Sequence, residues 1–236
     1  MKYVKDRTGR FPKRPHYELA ELDQECERII TDFMKQNYGK LLLPIPTDAL
    51  TKLIERDAGD LDLYADLSHE GPEVQGLTEF FPNQKPNVRI LGDLSQQSNE
   101  HRLRTTLTHE YGHVKFHDCL WQVEAGNPSM HEQLAHQPSP KCKRDNLFNA
   151  PEVDWMEWQA GYVSGSILMP ATHVKNVVGN FFDTNKLFGP ILASSSHAEE
   201  LKKLMHRTFG VSLDAARVRL LKLKYLSNKD LGPSLF

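Results

Sequence analysis

Leu19, Leu22, Cys26, Ile29, Ile30 and Phe33 recur at three- and four-residue spacing, which predicts an amphipathic helix over 17–34 closed by Gly39. After LLLPIP, either Thr47 or Asp48 can cap a short helix predicted through Ile54 and stopped by Gly59. The period then drops to two. Leu61, Leu63, Ala65 and Leu67 alternate with polar residues, and VQGLTEFF and NVRIL supply two more strands separated by the turn-forming PNQKPN. Together they predict a small antiparallel sheet of about three strands. Helical spacing returns over 99–116, 154–168 (stopped by Pro170), 172–178, 198–208 and 213–226. Residues 118–150 have little periodicity and carry Gly126, Pro128, Pro138 and Pro140, which predicts a long functional or mobile loop. Residues 1–16 form a basic, proline-containing arm expected to be loose at its start. The expected class is α+β, mainly helical, with a small antiparallel sheet and a C-terminal helical pair. The expected organisation is an N-terminal basic arm and helix over 1–40, a central domain over 41–190, and a C-terminal helical segment over 191–236 packed on it.

Composition narrows the function without naming it. The chain has 236 residues, enough to bury a core without disulfides or metals. No run of about 18 apolar residues occurs, so no membrane-spanning helix is expected. The opening MKYVKDRTGRFPKRPHY is basic but lacks the apolar stretch of a secretory signal. Three cysteines, Cys26, Cys119 and Cys142, do not make a disulfide framework, and a reducing, cytoplasmic setting is the simpler expectation. A net charge of −2 does not advertise a nucleic-acid partner. Histidine is prominent, with 11 copies, several of them between His101 and His136.

Within THEYGHVKFH, His109, Glu110 and His113 form an H-E-x-x-H pattern. On a helix, residues four apart lie one turn above each other, so two imidazoles can bind one Zn²⁺ from one face. Glu110, offset by one residue, sits beside the cation and can take a proton from water acidified by it. The bare pattern also arises by chance in a His-rich chain, so its flanks matter. Leu103, Leu107 and Val114 supply an apolar stripe, and Gly112 costs helix stability unless another element must approach there.

A catalytic zinc needs a third protein ligand and an open position. His117 is eight residues from His109, about 12 Å along a continuous helix, too far to share one ion. Either the helix ends before it, or its imidazole supports a ligand without binding. DWMEWQAGYVSGSILMP offers a better source. Glu157 shares a helical face with the small Ala160, Gly161 and Ser164, a face that lets two helices pack closely. Asp154 competes from three residues earlier, and Glu152 competes more weakly.

RTTLTHEYGHVKFH followed by EWQAGYVSGSILMP resembles the ImmA/IrrE family of metallo-endopeptidases. The shared positions are Arg104, Thr106, His109, Glu110, Gly112, His113, Glu157, Ala160, Leu168, Met169 and Pro170. FGVSLDAARVRLLKL also resembles the ending of that family, and the resemblance spans about residues 44–226. Thr108, Gly161 and Val163 stand where the family usually has alanine, asparagine and phenylalanine. The resemblance implies a zincin-like peptidase domain over 41–190. It implies His109, His113 and Glu157 as ligands of Zn²⁺ and Glu110 as general base; by donor chemistry alone Mn²⁺ and Fe²⁺ can occupy such a site as well. It also implies an intracellular enzyme that cuts a helix-turn-helix repressor and so induces genes of a mobile element or a stress response.

Other residues are weighed beside that reading. His131, Tyr162 and His173 are candidates for stabilising an oxyanion or contacting substrate. Cys119, His131, His136 and Cys142 match no common zinc spacing, so a lid over the cleft or a thiol switch competes with a second metal site. Residues 198–226 have a helix-turn-helix outline with Arg217, Arg219, Lys222 and Lys224, so DNA contact is weighed against a solvated face. A non-catalytic, metal-stabilised regulator that binds a repressor or DNA, or a toxin–antitoxin component, is the alternative function.

Overall fold

Residues 1–122, 141–143 and 154–229 are described by the structure, a computed structural model. The chain is α+β, with seven α-helices among the described residues and small sheets. Its first sixteen residues are not a loose arm: β1 (Lys2–Lys5) and β2 (Lys13–His16) pair as an antiparallel hairpin. Asp6 ties its turn together. Its carboxylate accepts from the Thr8 and Phe11 backbone N–H groups and from the Thr8 hydroxyl.

Helix α1 (Leu19–Tyr38) buries Leu22, Cys26, Ile29, Ile30, Phe33 and Met34. A capping box between Glu18 and Glu21 starts it, and Gly39 ends it at φ 75°, a left-handed conformation that costs glycine least. Helix α2 (Thr47–Asp57) begins after Pro46 without a side-chain cap, so neither Thr47 nor Asp48 serves the role expected of it. The Thr47 hydroxyl instead donates to Glu100 at 2.9 Å.

The central sheet is mixed, not antiparallel, and has four strands in the order β3-β5-β4-β6. The strands β3 (Asp60–Ala65) and β5 (Asn87–Leu91) run parallel, because β4 (Val74–Glu79) lies beyond β5 and pairs antiparallel with it. Strand β6 (Lys141–Lys143), inside the segment expected to be a loop, adds to the free edge of β4. Hydrophobic alternation reports which face a residue takes but not the order of strands, so the parallel pair was not legible in it.

Helix α3 (Glu100–His117) crosses this sheet and is buried along almost its whole length from Arg104 to His117. Helix α4 (Trp155–Leu168) packs on it, and α5 (Ala171–Asn185) follows after Pro170. Helices α6 (Ser196–Phe209) and α7 (Leu213–Lys222) end the helical part. The last strand, β8 (Leu226–Ser227), pairs parallel with β7 (Ile191–Leu192), so the final helix is shorter than its apolar pattern suggests. One apolar cluster draws Leu22, Leu50, Leu107, Val163, Leu201 and Leu220 together, so the three segments drawn from the sequence share a core. Among the described residues no helix is long and apolar enough to cross a membrane.

Candidate metal centre

Helices α3 and α4 meet in opposite directions, with contacts that descend along α4 as they ascend along α3. Thr108 Oγ1 lies 2.8 Å from Ser164 Oγ, and the Ser164 hydroxyl also reaches the Thr105 carbonyl at 3.1 Å. One turn further, Gly112 meets Ala160. A Cβ on Gly112 would stand 2.9 Å from Ala160 Cα, inside backbone that cannot swing aside. Glycine and alanine here let the two helices approach closely, and that approach delivers Glu157 to the histidines.

The three side chains converge in a buried position. His109 Nε2 lies 3.1 Å from Glu157 Oε2, His113 Nε2 lies 3.2 Å from Glu157 Oε1, and the two Nε2 atoms are 3.2 Å apart. Tetrahedral ligands held about 2.0–2.1 Å from one zinc ion are separated by about 3.3 Å, and each of these three separations is close to that spacing. Glu157 Oε1 has no hydrogen-bond partner despite that short approach. His109, His113 and Glu157 can therefore hold a metal ion, and among the described residues no further His, Cys, Asp or Glu joins them. Nothing in this donor set selects zinc over manganese by itself.

The charges of the ion-free chain follow from this packing. Burial opposes ionisation of Glu157, but His113 and His109 beside it outweigh burial and hold its carboxyl well below the usual carboxylate range. Burial works against the His109 imidazolium, yet Glu157 wins and raises that group above its usual value. His117, buried beside His113 and with no carboxylate bonded to it, is pushed well below the ordinary histidine value.

Glu110 lies next to the cluster without being part of it. Its Oε2 accepts a 2.5 Å hydrogen bond from the Thr78 hydroxyl, while its buried Oε1 has no partner. Burial raises this carboxyl above its usual value against the pull of His113 and His109. Strand β4 makes room for it through Gly76, where a Cβ would stand 2.5 Å from Glu110 Oε1. Gly76 and Thr78, two apart on one strand, share the face toward α3. Neither was singled out in the sequence; a glycine inside a strand pattern is the available signal for close approach, and Thr78 carried none.

His117 lies within α3, so the helix does not end before it. Its Nδ1 is 3.0 Å from His113 Nδ1 and its Nε2 is 2.7 Å from Gln159 Oε1. Asp154, the competing carboxylate, is the N-cap of α4 and accepts from the Glu157 backbone N–H. Glu152, His131 and His136 lie outside the described residues, as do most of the expected lid and second metal site. Cys119 is exposed and its thiol reaches the Phe116 carbonyl at 3.9 Å.

Two of the candidates for oxyanion stabilisation lie on α4 and α5. The Tyr162 hydroxyl donates to Asp23 Oδ2 at 2.8 Å, in a network where Ser166 and Arg219 also hold Asp23. His173 lies in the first turn of α5, whose Thr172 N–H bonds Glu27 of α1. Arg219 is also buried, bonding the Met169 carbonyl, which removes it from the basic face weighed for DNA.

Arg104 ties the C-terminal pair to α3. Its guanidinium donates to the carbonyls of Ile45, Phe209 and Gly210, saturating backbone groups at the end of α6. One apolar groove borders the cluster through Glu157 and runs between α4 and α7, past Trp158, Gly161, Leu168 and Val218. No protein-family model matches the chain, and no curated protein matches it.

Proposed function

We propose that this chain is a zincin-like, zinc-dependent endopeptidase that cuts a peptide bond in a partner protein. The observation that carries the reading is the convergence of His109, His113 and Glu157 within 3.2 Å of one another beside Glu110, a carboxylate outside the cluster with one oxygen unpartnered. When bound, zinc supplies Lewis acidity that polarises the scissile carbonyl and acidifies water. His109, His113 and Glu157 hold it. Glu110 takes the proton of the attacking water and returns it to the leaving amine. Thr78 occupies Glu110 Oε2, which leaves Oε1 for that exchange. Burial raises its carboxyl above the usual value, the direction that strengthens it as a base.

The substrate class follows from the ImmA/IrrE resemblance of the two motifs: a helix-turn-helix repressor whose removal induces a mobile element or a stress response. A cytoplasmic location accompanies it. Two measurements test the reading. Purified wild-type chain is expected to carry close to one equivalent of metal, and His113→Ala to lose it; near-zero metal in both removes the basis of the proposal. Glu110→Gln is expected to keep the metal and lose cleavage of a co-expressed repressor, read by mass spectrometry of fragments. Cleavage retained in Glu110→Gln overturns the assigned role.

A further inference from the structure

His113 can bind a cation through Nε2 only if its ring hydrogen sits on Nδ1. The partner of that Nδ1 is not the carboxylate or carbonyl that commonly orients a metal-binding histidine. It is a second imidazole, His117, at 3.0 Å. That ring is fully buried, with the Trp155 ring edge-on at 5.3 Å. Beyond it stands one amide, Gln159 Oε1, 2.7 Å from His117 Nε2.

Hydrogen counting along this line leaves one arrangement. An amide oxygen only accepts, so His117 Nε2 carries a hydrogen. A second hydrogen on His117 Nδ1 would make an imidazolium in a fully buried position bonded to no carboxylate, which is costly. His117 Nδ1 therefore presents a lone pair and His113 Nδ1 donates to it, so the nitrogen left to face a cation is His113 Nε2. With the Gln159 amide reversed, an N–H would face His117 Nε2 and every bond would run backwards. The hydrogen would then rest on His113 Nε2, where a cation has to bind. His109 has no such device, because its Nδ1 is buried without a partner.

We propose that Gln159, acting through His117, is a positioning residue that fixes a hydrogen on His113 Nδ1 and so reserves Nε2 for metal. The inference rests on the metal-centre reading above, but it concerns the ion-free chain and can be tested there. Helix α4 then serves the centre twice, with Glu157 as a ligand and Gln159 as the end of the relay.

The experiment is long-range ¹H–¹⁵N correlation of ¹⁵N-histidine-labelled, metal-free chain at about pH 8, where free imidazole is neutral. The expected result is a hydrogen on His113 Nδ1 and, for His117, a hydrogen on Nε2 with none on Nδ1. A His113 ring without a hydrogen on Nδ1 overturns the relay, whether or not the chain binds zinc. Expected tautomers in a chain that fails to bind zinc would leave the relay standing and sink the metal reading instead. A second arm measures zinc affinity by chelator competition in Gln159→Met, which lacks the acceptor. Gln159→Met is expected to bind about 10–100-fold more weakly, the usual cost of losing an orienting partner, and to lose the single-site hydrogen placement on His117 in the same spectrum. An affinity and a His117 signature equal to wild type overturn the proposal.

Discussion

Thr78 and Glu110 meet across the junction of β4 and α3, where the threonine hydroxyl occupies one carboxylate oxygen at 2.5 Å and leaves the other unpartnered. The pair lies 32 residues apart in the chain, and both residues are fully buried. The bond decides which oxygen of the proposed base is free, so its effect belongs to proton transfer and not to metal affinity.

Thr78→Val keeps the volume and removes the donor. A hydrogen bond to a charged group contributes about 1.5–3 kcal/mol, so kcat is expected to fall by about 10–100-fold on any peptide that the wild type cleaves. Metal content should stay unchanged, and Thr78→Ser should restore most of the rate. Loss of metal in Thr78→Val would contradict this division of roles.

Gly76→Ala places a methyl 2.5 Å from Glu110 Oε1 and 2.8 Å from Thr106 Cγ2. Neither neighbour moves easily, since Glu110 is held by Thr78 and Thr106 is a buried, β-branched helix residue. The expected loss is about 1–3 kcal/mol of stability by urea unfolding, together with a displaced carboxylate and reduced turnover.

Gly112→Ala sets two effects against each other. Alanine favours an isolated helix by about 1 kcal/mol, but its methyl meets Ala160 Cα at 2.9 Å. The obstacle is backbone, so α3 and α4 must separate and carry Glu157 away from the histidines. Net destabilisation and weaker zinc binding are expected together. A stabilised variant with wild-type affinity would show that the close approach is not required.

Asp57 gives the chain a pH dependence away from the metal centre. Burial raises its carboxyl, but hydrogen bonds from Arg56 and Tyr111 outweigh burial and hold it below the usual value. A carboxyl depressed on folding contributes stability above its unfolded value, about 3.9, and loses that contribution as pH falls through the lower folded value. Urea unfolding should therefore show wild type more stable than Asp57→Asn at neutral pH. The gap should shrink as pH drops below about 4. A gap independent of pH would assign the difference to packing.

Much of the local structure was legible because it depends on near neighbours in the chain. Gly39 closes α1 and Pro170 separates α4 from α5, both as their backbone preferences dictate. The i, i+4 spacing of His109 and His113 placed them on one helical face, and the small residues after Glu157 marked a face built for close packing. The hairpin at the N-terminus escaped because its strands are short and basic and carry no apolar alternation. Strand β6 escaped because it is three residues long within a proline-rich stretch.

By itself the sequence determined which side chains could bind an ion and on which turn of a helix they stand, because helical periodicity fixes those relations locally. Only the tertiary structure decided which distant groups complete the site. The parallel pairing of β3 with β5 and the position of β4 against α3 bring Gly76 and Thr78 to Glu110, and the crossing of α3 and α4 brings Gln159 to His117. Those contacts depend on strand order and helix approach, which arise from packing the whole core and leave no periodic trace in the chain.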